Sequence, residues 1–202
     1  MAELHIFRHG ETEWNLEGRM QGSQDSPLTE LGKSQAIAAR SKIESIEFDA
    51  VYSSSSARAY DTAQLLLGDR QIPVQQLDEL KEISMGTWEG MTYKEVEKEY
   101  AQDHFHFWKQ PSLFRGEGAE SFHQLENRSV SVIKQIISQH QDQKVLVVSH
   151  GAFIKTLLTS LQSRPLDEIW EGPYAKNLCH SIVLGPDVKV KQYCDEDWGN
   201  NS

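Results

Sequence analysis

Two stretches of this chain run from an apolar segment into His-Gly: LHIFRHGETEWN, from Leu4 to Asn15, and KVLVVSHG, from Lys144 to Gly151. In both, an apolar run stops abruptly at a histidine and a glycine. Arg8 precedes His9 directly, and a third apolar stretch, DAVYS, leads within a few residues to Arg58. Planar guanidinium groups match phosphate oxygens bidentately. An imidazole can attack phosphorus when its reactive nitrogen is unprotonated and an acceptor holds the other. If the three ends converge, Arg8, Arg58, His9 and His150, with Asn15 and Gln21 nearby, make a phosphate pocket that needs no P-loop and no metal cage. Gly151 would allow close backbone approach. A helix starting after it would offer N–H groups and a positive dipole end to an anion.

Other chemistries fit the pattern less well. Taken singly, a histidine at a strand end is usually structural. A zinc site from His9, His150 and a carboxylate would lack HExxH or Cys-rich spacing, so no metal and no cofactor is expected. A Ser-His-Asp hydrolase would carry GxSxG, which is missing. Ser53 to Ser56 reads instead as a polar turn and helix cap.

Periodicity predicts the elements that must position these residues. Leu4–Phe7, Asp49–Ser53 and Ile72–Gln76 read as strands, and the run Val145–Val148 suits a central strand buried on both faces. Helical patterns cover Leu28–Ile46 with Thr29 as N-cap, Ala57–Leu67, Thr92–Tyr100 with Glu95 in the capping-box position, Glu120–His140, and Ala152–Leu161. Cys179–Leu184 and Val188–Tyr193 flank Gly185-Pro186-Asp187 as a terminal hairpin. Strands alternating with helices imply an α/β protein with a mainly parallel sheet, and ligands then bind beyond the carboxyl ends of the strands. His104 to Gly118 reads as irregular and aromatic, with Phe105, Phe107, Trp108 and Phe114, and is expected to form a lid or insertion around residues 90–120.

Composition bounds the rest. At 202 residues, with 38% hydrophobic and 25% charged residues, one soluble domain over residues 1–202 is expected. A net charge of -10 argues against a nucleic-acid partner and requires local cations to draw in an anion. Neither a signal peptide nor a bilayer-spanning run is visible, so a cytoplasmic protein with no membrane partner is expected. Free thiols are the simplest reading of Cys179 and Cys194, with one bridge between them left open.

Four blocks carry a resemblance. RHGETEWN continues through GRMQGSQDSPLTELGKSQA to Ala36; SSSSARAYDTA runs from Ser53, LKEISMGTWEG from Leu80, and VVSHG from Val147. In this order they resemble the histidine phosphatase superfamily, also called phosphoglycerate mutase-like, over nearly the whole chain. The resemblance implies a three-layer α/β/α fold with a mainly parallel mixed sheet. It implies His9 as the nucleophile that becomes phosphohistidine, and Arg8, Arg58 and His150 as the phosphate-binding core. Asn15, Gln21, Gly22 and Gly151 would add phosphate or substrate contacts, and Glu82 would protonate the leaving oxygen. Glu11 is not expected to be the acid.

After Glu82 the chain reads Ile83-Ser84-Met85-Gly86, where the family's mutases typically read RHYG, and no arginine pair lies near the expected lid. Together with Trp14, Met20, Phe105, Phe107, Trp108 and Phe114, this points to a metal-independent, broad-specificity phosphatase for apolar phosphomonoesters. Small phosphate esters are its expected partners, and a monomer or homodimer its expected state. The alternatives are an α-ribazole phosphatase, a cofactor-dependent phosphoglycerate mutase, or a non-catalytic binder of phosphorylated ligands.

Overall fold

The computed structural model describes residues 1–197; the last five residues of the expected domain, 198–202, lie outside the described part. Its strands are β1 (Glu3–Arg8), β2 (Ala50–Ser54), β3 (Val74–Leu77), β4 (Lys144–Ser149), β5 (His180–Leu184), β6 (Lys189–Tyr193) and β7 (Glu196–Asp197). They form one sheet in the order β3-β2-β4-β1-β5-β6-β7. The pairs β3–β2, β2–β4 and β4–β1 are parallel; β5, β6 and β7 continue antiparallel. The sheet is therefore mixed and mainly parallel, and the expected hairpin is β5–β6.

Strand alternation sorts the core into two layers. Leu4 and Ile6 of β1, with Val145 and Val147 of β4, join one apolar cluster; Phe7, Leu146 and Val148 join the other. A central strand with helices on both faces has no polar side, which is why Val145–Val148 reads as a continuous apolar run. One face is covered by α2 (Glu30–Ala39) and α3 (Ala57–Leu67). The other carries α6 (Phe122–Gln139) and α7 (Gly151–Leu161), with α4 (Tyr93–Glu99) and α5 (Ala101–Lys109) beyond them. On α6, Phe122, Leu125, Ser129, Val132, Ile133, Ile136 and Ile137 are buried at helical spacing. Each large apolar side chain there contributes about 1.5–3 kcal/mol relative to exposure. The layers are the expected α/β/α arrangement.

Local boundaries differ from the sequence reading where capping decides them. Thr29 does cap α2, accepting from Gly32 N–H, but the α-helix ends at Ala39 and only a 3₁₀ turn, Arg40–Lys42, comes after it. Thr92 and Glu95 form the expected capping box on α4. Ser121 and Gln124 form another that starts α6. The short α1 (Glu13–Glu17) has a third, made by Thr12 and Asn15.

The stretch read as irregular is the largest correction: residues 101–109 are helix α5, continuing into a 3₁₀ turn at Pro111–Leu113. The helix lacks a side-chain N-cap, so its start carries no sequence signal. Tertiary packing holds it instead. The Phe107 ring lies 5.1 Å from Phe114, 5.2 Å from Phe122, 5.4 Å from Trp170 and 5.7 Å from Trp88.

Two buried histidines join β1 to β5. His180 Nε2 lies 2.9 Å from His5 Nδ1, and the His180 ring stacks on Phe7 with centroids 4.4 Å apart. Burial, then the neighbouring His5 and Lys42, pushes the His180 pKa down to about 3; burial also lowers that of His5. Because the folded values lie below the unfolded ones, the unfolded chain binds more protons in mild acid. Stability from this pair is fully present above about pH 6.5 and is lost as pH falls towards 3. By pH 4 the loss from His180 is about 3 kcal/mol. Urea midpoints should fall from pH 7 to pH 4.5, and less steeply for His180→Asn; an unchanged slope would remove this pair as a cause.

Candidate active site

The parallel neighbours β2, β4 and β1 end side by side. Arg8 pairs with Ser149 and Ser53 with Val148, and His9 N–H donates to Ser149 O at 3.0 Å. Adjacent parallel strands thus bring RHG, SHG and the turn before α3 to one edge. The rings of His9 and His150 lie 5.2 Å apart between centroids. A cavity of about 860 Å³ opens at this edge, and Arg8, His9, Asn15, Gln21, Gly22, Arg58, Glu82 and Gly151 all line it. His150 stands fully buried beside His9 and is not among the lining residues.

His9 is oriented by its own loop. Its Nδ1 lies 2.7 Å from Gly10 O, so Nδ1–H donates there and Nε2 is left as the basic nitrogen. Burial first, then Arg58 and Arg8, hold the His9 pKa well below the usual histidine range. The ring is therefore neutral at ordinary pH. The loop itself is clamped: Gly10 N–H donates to Thr62 Oγ1 at 3.0 Å, and Asn177 Nδ2 donates to His9 O at 3.0 Å. Gly32 of α2 meets it so closely that a Cβ there would stand 2.1 Å from Glu11 O. Glu11 is part of that clamp, its carboxylate accepting from Thr29 Oγ1 at 2.8 Å. That contact gives Glu11 a structural role.

Both arginines are held by acceptors on one side. Arg58 is 1% exposed, with Nη1 donating to Gln24 O at 2.6 Å and Asp25 Oδ1 at 2.9 Å, and Nη2 to Gly22 O at 2.9 Å. Arg8 Nη1 donates to Ala175 O at 2.6 Å. The buried Nε atoms of both, with His150 Nδ1 and Gln21 Oε1, have no protein partner. His150 Nε2 lies 3.2 Å from Ser56 Oγ, and burial with Arg58, His9 and Arg8 holds its pKa well down, so it serves as a neutral ring. Gln21 Nε2 donates to Thr12 Oγ1 at 2.6 Å. Asn15 lies further back, its Oδ1 accepting from Thr12 N–H at 3.2 Å in the α1 capping box.

The start of α7 does not receive an open anion. Ala152 N–H donates to Glu82 Oε2 at 3.0 Å and Phe153 N–H to Oε1 at 2.9 Å, so Glu82 is the carboxylate at that helix end. This corrects the expectation that those N–H groups face a ligand. It also seats Glu82 in the cavity wall. A methyl built on Gly151 would touch both Arg8 Nε, at 3.5 Å, and Glu82 Oε2, at 3.8 Å. Arg128 pins the Glu82 loop through Lys81 O at 2.9 Å, and Ser149 Oγ through Leu80 O at 2.8 Å.

Sequence reasoning missed several lining residues. Tyr93 of α4, Lys155 of α7 and Tyr174 line the same cavity, as do Glu97, Ala101 and His104. Tyr93 is 43% exposed; partial desolvation raises its phenol pKa, and it feels both Arg8 and Glu82. Glu89 sets the Gln21–Gly22 loop: its Oε1 accepts from Ser23 N–H at 2.8 Å and Met85 N–H at 3.0 Å. Only the WEG of LKEISMGTWEG marked it in sequence. Of the expected apolar set, Met20, Phe105, Phe107 and Trp108 line the cavity. Phe114 is core, and Trp14 packs on Gly90. Cys179 and Cys194 are buried free thiols with Sγ atoms 3.1 Å apart. Among the described residues, no helix is long and apolar enough to cross a membrane.

Residues 4–191 match the sequence profile of the histidine phosphatase superfamily (branch 1). Phosphoserine phosphatase 1 of Hydrogenobacter thermophilus is 32% identical over 183 residues, 91% of this chain and 86% of that protein. The adenosylcobalamin/alpha-ribazole phosphatase of Escherichia coli is 34% identical over 170 residues, 83% of this chain and 82% of its own. The solved structure of Bacillus stearothermophilus YhfR superposes with a TM-score of 0.92 at 36% identity, covering 98% of both chains.

Proposed function

The chain belongs to the histidine phosphatase superfamily and is a phosphoric monoester hydrolase; from that premise we propose that His9 is its nucleophile, in a metal-independent reaction with broad specificity for apolar leaving groups. The observation that carries the assignment is a neutral His9, tethered at Nδ1, beside the buried Arg58 and the half-buried Arg8 in the cavity wall.

Arg8 and Arg58 take the equatorial phosphate oxygens, where charge spreads in the transition state. His150, beside His9, and Gln21 help to hold the phosphate. His9 Nε2 forms a bond to phosphorus as the ester P–O bond breaks, and Glu82 gives the departing oxygen its proton. Glu82 then takes a proton from water, whose oxygen attacks phosphohistidine and releases inorganic phosphate. The two arginines supply the charge neutralisation that Mg²⁺ gives in other phosphoryl transfers.

The cavity walls support the breadth. Beyond the phosphate end they are mostly apolar and aromatic, from Met20, Met85, Phe105, Phe107, Trp108 and Trp170. Two of the cations near them are engaged, Arg19 with Glu17 and with Gly90 O and Lys155 with two carbonyls, which leaves the exposed Lys109 at the rim as the remaining lining cation on that side. That favours a large apolar leaving group over a compact carboxylate-bearing one.

A phosphate-ester panel checks this reading. Aryl phosphates and α-ribazole phosphate are expected to outrun phosphoserine and 3-phosphoglycerate in kcat/KM, without transfer to a second hydroxyl and without loss in a chelator. Preference for the carboxylated esters would overturn the specificity, and activity restored by a divalent ion would overturn metal independence.

A further inference from the structure

We propose that Lys155 is a positioning residue for the phosphate clamp, acting through the 171–175 loop on Arg8; the proposal rests on the phosphatase reading of the site. Lys155 lies on α7, one turn beyond Gly151, and is 3% exposed. Its Nζ donates to Glu171 O at 2.5 Å and to Pro173 O at 3.1 Å. The same loop ends in Ala175, whose carbonyl accepts from Arg8 Nη1 at 2.6 Å. The amine, the loop and the guanidinium form one chain of contacts from the middle of α7 to the cavity floor.

Lys155 does more than fill space. Among the described residues, it is the donor found for the Glu171 and Pro173 carbonyls; without it both would lose their partner beside a cavity wall. An ammonium on an otherwise uncharged helix is also costly to bury, and burial draws its pKa down to about 8. A leucine at this position would pack on the Tyr193 ring, 5.1 Å from Nζ, without that cost. What the cation adds is the fixed loop. The other charged or titratable groups facing it are Cys194, Cys179, Arg164 and the Glu171 carboxylate, and Arg164 Nη2 holds that carboxylate at 3.1 Å. Arg164 thus tethers the start of the loop, while Lys155 holds its middle next to Ala175. The loop also carries Tyr174, which is 80% exposed at the cavity mouth.

The test is Lys155→Met, which keeps the aliphatic stem and removes the donors, with Lys155→Arg as the conservative partner. For the folded Met variant, KM and the inhibition constant of inorganic phosphate should both rise on the order of tenfold. Amide hydrogen exchange should quicken across residues 171–176 while β1 and β4 stay protected. Lys155→Arg, which restores a cationic donor, should recover part of the phosphate affinity. Unchanged phosphate inhibition in a folded Met variant would overturn the proposal, even with lower thermal stability. If the Met variant fails to fold, Lys155→Gln takes its place: weaker phosphate inhibition together with faster exchange across residues 171–176 supports the role, and unchanged phosphate inhibition overturns it. Wild type is assayed alongside. If it shows no turnover, the phosphatase reading falls; the phosphate-binding comparison still judges Lys155.

Discussion

His9→Ala is expected to fold, to form no acid-labile phosphoenzyme, and to turn over p-nitrophenyl phosphate on the order of 10⁴-fold more slowly or worse. Folding should survive because the loop is clamped through its backbone. Thr62 accepts from Gly10 N–H, Asn177 donates to His9 O, and His9 N–H donates to Ser149 O. Chemistry should not survive, because no other side chain at the cavity floor offers a neutral nitrogen between Arg8 and Arg58 among the described residues. His150 is fully buried, and its Nε2 faces Ser56. Rapid quenching with substrate, then intact mass, reads the phosphoryl group directly in wild type and its loss in the variant. Full activity in His9→Ala would end the phosphohistidine mechanism. The depressed His9 pKa adds a sign: Nε2 stays unprotonated well below the ordinary histidine range, so kcat/KM should show no acid limb near pH 6.5 from this residue.

Glu82→Gln should separate substrates by leaving group. For alkyl phosphates, whose departing oxygen needs a proton, the loss is expected at about 10²–10⁴-fold. For p-nitrophenyl phosphate, whose phenolate leaves readily, it should be much smaller. The substitution keeps the shape of the side chain but puts an NH₂ group where both carboxylate oxygens now accept from Ala152, Phe153 and Ile83 N–H. One of those contacts becomes donor against donor, so thermal stability should drop as well. Stability loss alone would affect all esters alike. A ratio of losses across leaving groups is what an acid produces, and equal losses would remove Glu82 from that role.

The candidate site was legible in sequence to the extent that local pattern carries it. Each His-Gly ends a strand whose alternation or apolar run is written in consecutive residues, and parallel strands share a carboxyl edge. Arg8, His9, Asn15, Gln21, Gly22, Arg58, Glu82 and Gly151 line one cavity, and His150 stands directly beside it. Helix α5 was not legible. Its start has no capping side chain, and its aromatic residues are held by Trp88, Phe114, Phe122 and Trp170 from elsewhere in the chain.

By itself, then, the sequence determined the α/β class, the strand-end histidines and arginines, and the family to which the chain belongs. These depend on spacing along the chain, which sterics and side-chain period translate directly into local structure. Tertiary structure alone decided that Glu82 occupies the N-terminal end of α7 in place of a free anion. It also decided that Lys155 reaches the loop that holds Arg8, that Tyr93 and Tyr174 line the cavity, and that Cys179 and Cys194 meet. Each of these joins residues far apart in sequence. Such contacts arise only when helices close on the sheet, because the donors and acceptors involved carry no mark in their own neighbourhood of which distant partner will satisfy them.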